Sequence, residues 1–571
     1  MYAIDLFCGA GGFSEGILQA GFHIVFSSDR SPYVQKTYMN RHKQLGLIQG
    51  ENTHFELTDI RDLKSDNILE HINKLKFFKN KKEVIRSGDI DAIFGGPPCQ
   101  GFSVAGKRDK NDPRNMLFRE YLRVIHDIRP KYVVMENVTG FLSMEVNPDF
   151  ESFNGEFYEE HSLVQHVVKT ELEGFGYNVL EPKILNASDY GVPQNRQRAI
   201  FLAYRNDVSP INYPDKKESK KISVLEALKD ISVNEELLNE AIPAEYSKES
   251  QDGRTPHFVN KKPISHYGSP LNMEESLHSQ LIIERFSLFE SGESTSQTKA
   301  RLLDYKLNGQ KVINFDELPT LLLHTTLNLN SKNNEVIFNK IINENIENIN
   351  LSPKDREKFN KSFYKKIIKL WNVSEKSQDF EDVAKKPISN IKISIEEFHN
   401  VFRLSKKLLN TYIKAEEVKD WFSNINYEQE IRNYEILNED GSVTIMKEEP
   451  NQLTSFYPIG RNQELTWDEI MNAVFTNKNT RSRLNGLSQA PTMVTLPDDF
   501  IHPTKNKILN VREMARLQSF DDSFEFLGKR TTGGAKRKEE VPQFTQVGNA
   551  VPPLLAKAIA EVVYDALNPS K

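Results

Sequence analysis

AIDLFCGAGGFSEGILQAGFHIVFSSD, residues 3–29, opens on a short apolar run, passes through a glycine-rich turn and closes on a second apolar run. AIDLF and HIVFSSD have strand length and strand composition, and FSEGILQAG between them has room for a short helix. Strand, helix, strand at this spacing is the unit of a parallel sheet, because parallel neighbours need a crossover connection. The pattern continues outward. PYVQKTYMNRH follows the second strand. DAIFGG, LFREYLRVIHDI and KYVVMENV then repeat the strand–helix–strand order, and the alternation runs to about residue 204. In LFREYLRVIHDI the residues Leu117, Phe118, Tyr121, Leu122, Ile125 and Ile128 share one helical face. Apolar strands alternating with helices predict an α/β fold, a parallel sheet covered on both sides. YNVLEPKIL and AIFLAY, joined by a polar loop, predict a closing strand pair.

Composition narrows the class. The chain has 571 residues, 38% hydrophobic and 27% charged, the balance of a soluble globular protein. No apolar run reaches the roughly 18 residues of a membrane span, and MYAIDLFCGAGG lacks the basic-then-apolar order of a signal peptide. The two cysteines, Cys8 and Cys99, are too few for a disulfide framework or a cysteine zinc site and fit a reducing cytoplasm. No HExxH or clustered His/Cys spacing appears, so no metal is expected. The net charge of −6 argues against nucleic-acid binding over the whole surface but not against a local basic groove. One stretch, KRTTGGAKRK (529–538), carries five Lys or Arg and no acid; it reads equally as a solvated loop and as a phosphate-contacting one.

Two groups of residues carry chemistry. At the first strand end, Gly9 and Gly11 permit a tight turn and close approach by a ligand, although Ser14 stands where a dinucleotide fingerprint needs its third glycine. Asp29 ends the second strand, where an acid can meet ribose hydroxyls. Asp59, in LTDI, ends the third, where it can contact an adenine. Singly each is a solvent-facing acid; on successive strand ends they describe a cleft for an adenosine-bearing cofactor. At the end of DAIFGG, GGPPCQGFS (95–103) sets Cys99 on a corner stiffened by Pro97 and Pro98. The polar loop after it reads as a lid. Glu136 ends the next strand, so a thiol and a carboxyl group face one another across neighbouring strand ends, an arrangement for covalent catalysis. Arg196 and Arg198, in QNRQR, point the same way if that segment is extended; phosphate contacts or surface ion pairs are the other reading.

DLFCGAGGFSEG, the acid at 29, LTDI, GGPPCQGFS, MENV, QNRQR, then RLNGLSQAPTMVT, VREMARLQSF and GNAVPP after a long variable region resemble the DNA cytosine-5 methyltransferases, in that family's motif order. The resemblance covers roughly residues 3–204 and 481–566. It implies a Rossmann-like core that uses S-adenosylmethionine, joined to a second, irregular DNA-recognition domain. It implies that Cys99 is the nucleophile that attacks cytosine carbon 6, that Glu136 holds the flipped base, and that Arg196 and Arg198 lie beside it. Phe7, Gly9, Gly11, Asp29, Asp59, Ile60, Pro98, Leu117 and Asn549 fall at cofactor-contacting positions, and Ser103 at a DNA-contacting position of the mobile loop. Lys536, Arg537 and Lys538 are expected to add phosphate contacts. The sequence departs from the family at Asp29, where Glu is usual, and at Arg30, where an apolar residue would pack on adenine.

These motifs predict a catalytic domain of residues 1–205 plus 541–571 and a target-recognition domain of 206–540, with a long insertion around 331–470. IEEFHNVFRLSKKLLNTYI and the run around Trp421 look helical, and NSKNNEVIFNKIINENIENINLSPKD is close to low complexity. The implied partners are double-stranded DNA and a companion restriction endonuclease, in a monomeric, bacterial, cytoplasmic enzyme. A tRNA cytosine methyltransferase would need no long DNA-reading region. A catalytically dead DNA-binding regulator would have no need of Cys99, Glu136 and QNRQR together.

Overall fold

The computed structural model describes residues 1–98, 117–146, 151–155, 157–159, 161–218, 220–232, 243–307, 310–312, 339, 342–346, 351–370, 373–410, 432–437, 443–448, 455–456, 465–466, 475, 480–532 and 537–569. The chain divides into two compact units, one of residues 1–276 with 484–571 and the other of residues 277–483.

In the first unit β1 (Tyr2–Leu6), α1 (Gly12–Gln19), β2 (His23–Asp29), α2 (Pro32–Gln44) and β3 (His54–Leu57) are followed by α3 (Ser65–Lys74), α4 (Lys76–Lys81) and β4 (Ala92–Gly95). Next come α5 (Leu117–Ile128), β5 (Tyr132–Asn137), α6 (Val164–Gly174), β6 (Tyr177–Val179), β7 (Lys183–Asn186) and β8 (Gln197–Arg205). One sheet runs β3-β2-β1-β4-β5-β8-β6, with β7 also on β8. The strands from β3 to β5 are parallel. β8 pairs antiparallel to β5, β6 and β7, so the predicted closing pair is present. β2 and β3 lie on one side of β1 and β4 and β5 on the other. The chain order therefore reverses between β1 and β4, and a crevice opens there at the carboxyl ends of the strands.

Both sheet faces are covered, as the apolar strands require. Ile4, Leu6, Val25, Phe26, Ile93, Val133 and Met135 face a layer with α3, α5 and α6. Ala3, Ile24, Phe94 and Val134 face α1 and the C-terminal helix Pro553–Leu567. The approach of those two helices is set by Gly16: a Cβ there would lie 2.4 Å from the Cβ of Ala556. Residues 206–276 and 484–540, which the sequence reading assigned to the recognition domain, belong to this unit. The physical reason is visible in α7 (Val224–Leu228) and the helix Val511–Leu517, whose apolar residues complete the core on the α1 side.

In the second unit, Pro353–Leu370, Gln378–Ala384 and Ile395–Asn410 are helices. Phe359, Phe363, Ile367, Phe380, Phe398, Val401 and Phe402 form their core. The expected helix at IEEFHNVFRLSKKLLNTYI is thus present over Ile395–Asn410; Trp421 lies outside the described residues. Ile342 and Ile346, from the stretch that resembled low complexity, are buried in the same core. Tyr305–Leu307 with Gln310–Val312, and Arg432–Leu437 with Val443–Glu448, form antiparallel hairpins.

Candidate active site

β1 stops at Leu6 because the backbone turns left-handed at Phe7 (φ 56°), and again at Gly9 (φ 55°) and Gly11 (φ 102°). The turn is closed by the Gly11 N–H donating to the Cys8 carbonyl at 3.0 Å, and is tied to β2 by the Cys8 N–H donating to Ser28. A Cβ on Gly9 would meet nothing within 4 Å, so open space lies over the turn. Asp29 at the end of β2 braces it: one carboxylate oxygen accepts from the Gly9 N–H at 3.1 Å and the other from the Ser31 N–H at 2.8 Å. Burial raises the Asp29 pKa, and those two hydrogen bonds oppose the rise. Ser14, in the place of the third glycine, has its own use. Its hydroxyl donates to the buried Asp5 carboxylate and lies 3.0 Å from the Tyr38 hydroxyl.

Asp59 follows β3 as expected, but its carboxylate is engaged. The Arg61 guanidinium grips both oxygens, Nε and Nη2 each at 2.8 Å, and the Arg61 N–H adds a third bond at 3.1 Å. That hydrogen bonding lowers the Asp59 pKa to about 2. Arg30 also stands near, its Nη1 3.9 Å from the Asp59 Oδ2. Ile60 and Leu117 are buried, Pro98 is half-buried and Asn549 is exposed.

On the other side of the reversal point, β4 delivers the Gly95-Gly96-Pro97 corner. A Cβ on Gly95 would lie 2.5 Å from the Tyr121 ring, and one on Gly96 would lie 3.1 Å from a Glu136 carboxylate oxygen. Glu136 projects from the end of β5 beside this corner. Arg198, on the antiparallel strand β8, places Nε 2.7 Å from the Glu136 Oε1, with both side chains about 12% exposed. Arg196 does something different. It is buried, and its two terminal nitrogens donate to the carbonyls of Met493 and Gly548 at 3.1 and 3.0 Å. Burial, with the charge of Arg198 nearby, lowers its pKa well below the ordinary guanidinium value. The two arginines therefore do not act as one pair: Arg198 meets the carboxylate, while Arg196 pins the C-terminal segments to the sheet.

The model of the C-5 cytosine-specific DNA methylase family matches residues 1–565. The chain belongs to that family. This methylase is 25% identical over 562 residues to the Type II methyltransferase M.DdeI of Desulfomicrobium norvegicum, covering 98% of this chain and 88% of that protein. It is 24% identical over 593 residues to the Type II methyltransferase M.AgeI of Thalassovita gelatinovora, covering 100% of both. It is 36% identical over 228 residues to the Type II methyltransferase M1.HphI of Haemophilus parahaemolyticus, covering 39% of this chain and 51% of that protein. The resemblance carried by the motifs is thus borne out at family level, as is the Rossmann-like, mixed α/β core.

Of the methylase's two cysteines, Cys8 is buried against Tyr38 and Phe55. Burial, with Asp5 and Asp29 nearby, pushes its thiol pKa well above the ordinary value, so it stays a neutral thiol. Cys99, Ser103 and Lys536 lie outside the described residues, as do the side chains of Arg537 and Lys538, whose backbone belongs to the short helix Arg537–Glu540. Sequence reasoning missed two residues that hold the site together. Asn137 donates to the Pro97 carbonyl at 3.0 Å, fixing the corner before Cys99. Gln194 is fully buried, accepting from the Met493 N–H and donating to the Leu517 carbonyl. Both stand inside quoted motifs, MENV and QNRQR, but a polar residue's partner distant in sequence leaves no local signature. Among the described residues, no helix is long and apolar enough to cross a membrane.

Proposed function

We propose that the protein methylates carbon 5 of a cytosine flipped out of a specific site in duplex DNA, as the modification enzyme of a Type II restriction system. The observation that carries this reading is the Arg198–Glu136 pair, set at the strand ends beside Gly96, which precedes Cys99 by three positions in the chain. A carboxyl group held by a guanidinium is oriented to meet a ring nitrogen at the edge of a base.

The cleft fits S-adenosylmethionine. The turn over Gly9 leaves open space, and each Asp29 oxygen, having accepted one N–H, keeps capacity to accept from a ribose hydroxyl. Phe7, Gly9, Gly11, Asp29, Asp59, Ile60, Pro98, Leu117 and Asn549 would hold it. Arg30 and Arg61, both near Asp59, offer planar faces for a purine. When bound, this group supplies an electrophilic methyl.

The residues of the chain do the rest. The Cys99 thiolate adds to carbon 6, forming an S–C bond and moving electron density to carbon 5. Glu136 stabilises the charge that develops on the ring, at nitrogen 3. Once carbon 5 carries the methyl group, a water molecule takes its proton, the C–H electron pair restores the carbon 5–carbon 6 double bond, and the S–C bond breaks to regenerate the thiolate. The target base has to leave the stack because stacking hides carbon 6; this costs a few kcal/mol. The test is a duplex carrying 5-fluorocytosine at the target. Fluorine cannot leave as a proton, so a covalent adduct at Cys99 is expected to accumulate. An adduct that persists in Cys99→Ala overturns the assignment.

A further inference from the structure

We infer that the helix Pro353–Leu370, in the long insertion, is a docking face for the DNA backbone. This rests on the reading that the protein acts on DNA. Residues 351–410 contain fourteen Lys and Arg against eight Asp and Glu, a net charge of +6 in a chain whose total is −6. The positive charge is ordered along the helix. Lys354, Lys358, Lys361, Lys365 and Lys369 are all exposed. Their spacing of four, three, four and four residues holds them within roughly 80° of arc at about 100° per residue. Asp355 and Glu357 stand at the N-terminal end only, and from Lys358 to Leu370 the helix has no acid.

Among the described residues none of the five lysines has an ion-pair partner, and three acids of the adjoining segments are engaged elsewhere. Glu381 pairs with Lys385, Glu375 with Arg403, and Asp382 accepts from Gln378. The opposite face of the helix is spent: Phe359, Phe363, Ile367 and Leu370 are buried in the core of the bundle. That separates this stripe from an amphipathic helix that inserts into a lipid surface, which keeps its apolar face for the membrane. What is left exposed is a row of like charges about 22 Å long, the span of roughly six phosphates along one strand. Five lysines in one row along a helix match a line of phosphates, and phosphate contacts fix position on the duplex without carrying sequence information. The segment thus supplies affinity that is independent of sequence, and the choice of site is made elsewhere.

The test replaces all five lysines with glutamine and measures binding to the target duplex and to a random-sequence duplex across a salt series. The expected result is a loss of affinity that is equal on both duplexes, with the slope of log K against log salt flatter by about 0.9 for each contact removed. A companion variant with arginine at the five positions is expected to keep the slope, and circular dichroism checks that both are folded. An unchanged slope in the folded glutamine variant overturns the inference, as does a loss confined to the target duplex. Salt-dependent binding of wild type to phosphatidylserine vesicles that the glutamine variant loses, with duplex binding intact, assigns the face to a membrane instead. Methyl transfer by wild type onto DNA is measured alongside; its absence refutes the proposed function, whereas an unchanged slope in an active enzyme refutes only this one.

Discussion

The Asp5→Asn variant is expected to lose a pH dependence of stability that the wild type has. Asp5 lies in β1, two residues before the left-handed turn at Phe7, and is 1% exposed. One of its oxygens accepts the Ser14 hydroxyl and the other has no hydrogen-bond partner. Burial raises its pKa to about 7; the Ser14 bond opposes the shift and the charge of Asp29 adds to it. An unfolded aspartate titrates near 3.9. Between about pH 4 and pH 7 the folded protein therefore holds a proton that the unfolded chain has released, so stability falls as pH rises through this window and levels off above it. A difference of about three pKa units, at about 1.36 kcal/mol each, makes the fall about 4 kcal/mol. Asparagine keeps the shape and the acceptor for Ser14 and has no proton to lose. It adds a buried amide N–H₂ without an evident acceptor, at roughly 1–3 kcal/mol. The variant is thus expected to be less stable than wild type at pH 4, where little of this fall has occurred, and to match or exceed it at pH 8. Urea unfolding across this range is the assay. Parallel stability curves for the two proteins would show that Asp5 titrates normally, and that its burial is offset by something other than a retained proton.

Arg198→Met removes the cation from Glu136; breaking a buried pair costs about 3–5 kcal/mol, and methyl transfer is expected to collapse while cofactor affinity, measured by calorimetry, is kept. Arg61→Ala is expected to return the Asp59 carboxyl from about 2 toward about 3.9 in an NMR titration. Gly16→Ala drives a Cβ into Ala556, and overpacking of this kind costs about 1–3 kcal/mol, read as a lowered melting temperature. Iodoacetamide applied to the native protein is expected to modify Cys99 and to spare Cys8 until the chain is unfolded, with peptide mapping as the check.

What the sequence made legible follows the reach of each signal. The strands and helices around residues 3–204 alternate within a few residues of one another, so their periodicity set the sheet in advance, and Asp29 and Glu136 fell at strand ends as expected. The unit boundary was harder. Residues 206–276 share the polar texture of the insertion, whereas 484–540 return to a compact, motif-bearing one; both join the first unit through contacts between residues hundreds of positions apart, which no local period announces. Arg516, for example, donates to the carbonyl of Ala227 and to the Asp230 carboxylate.

The two arginines of QNRQR show the same limit at the scale of the site. Their spacing set both on one side of an extended segment, yet the strand begins only at Gln197. Arg196 precedes it and turns inward to carbonyls supplied by residues 493 and 548. Arg198 lies within the strand and reaches Glu136 because β8 runs antiparallel to β5, with Ala199 opposite Asn137 and Ile200 opposite Glu136. An alternating pattern fixes which face a side chain takes, but its partner is fixed by the neighbouring strand's register, and in this sheet that neighbour comes from 60 residues earlier in the chain. The same dependence explains Asp59: its strand end was readable, whereas the Arg61 clamp was not, because an Asp-x-Arg spacing in a loop pairs only when the turn between them brings the guanidinium back over the carboxylate. Position along a strand is thus a property of the local sequence. Whether a charge stays free for a substrate is decided by what the rest of the fold lays against it, and that is where Arg196 and Arg198, identical in type and two residues apart, part company.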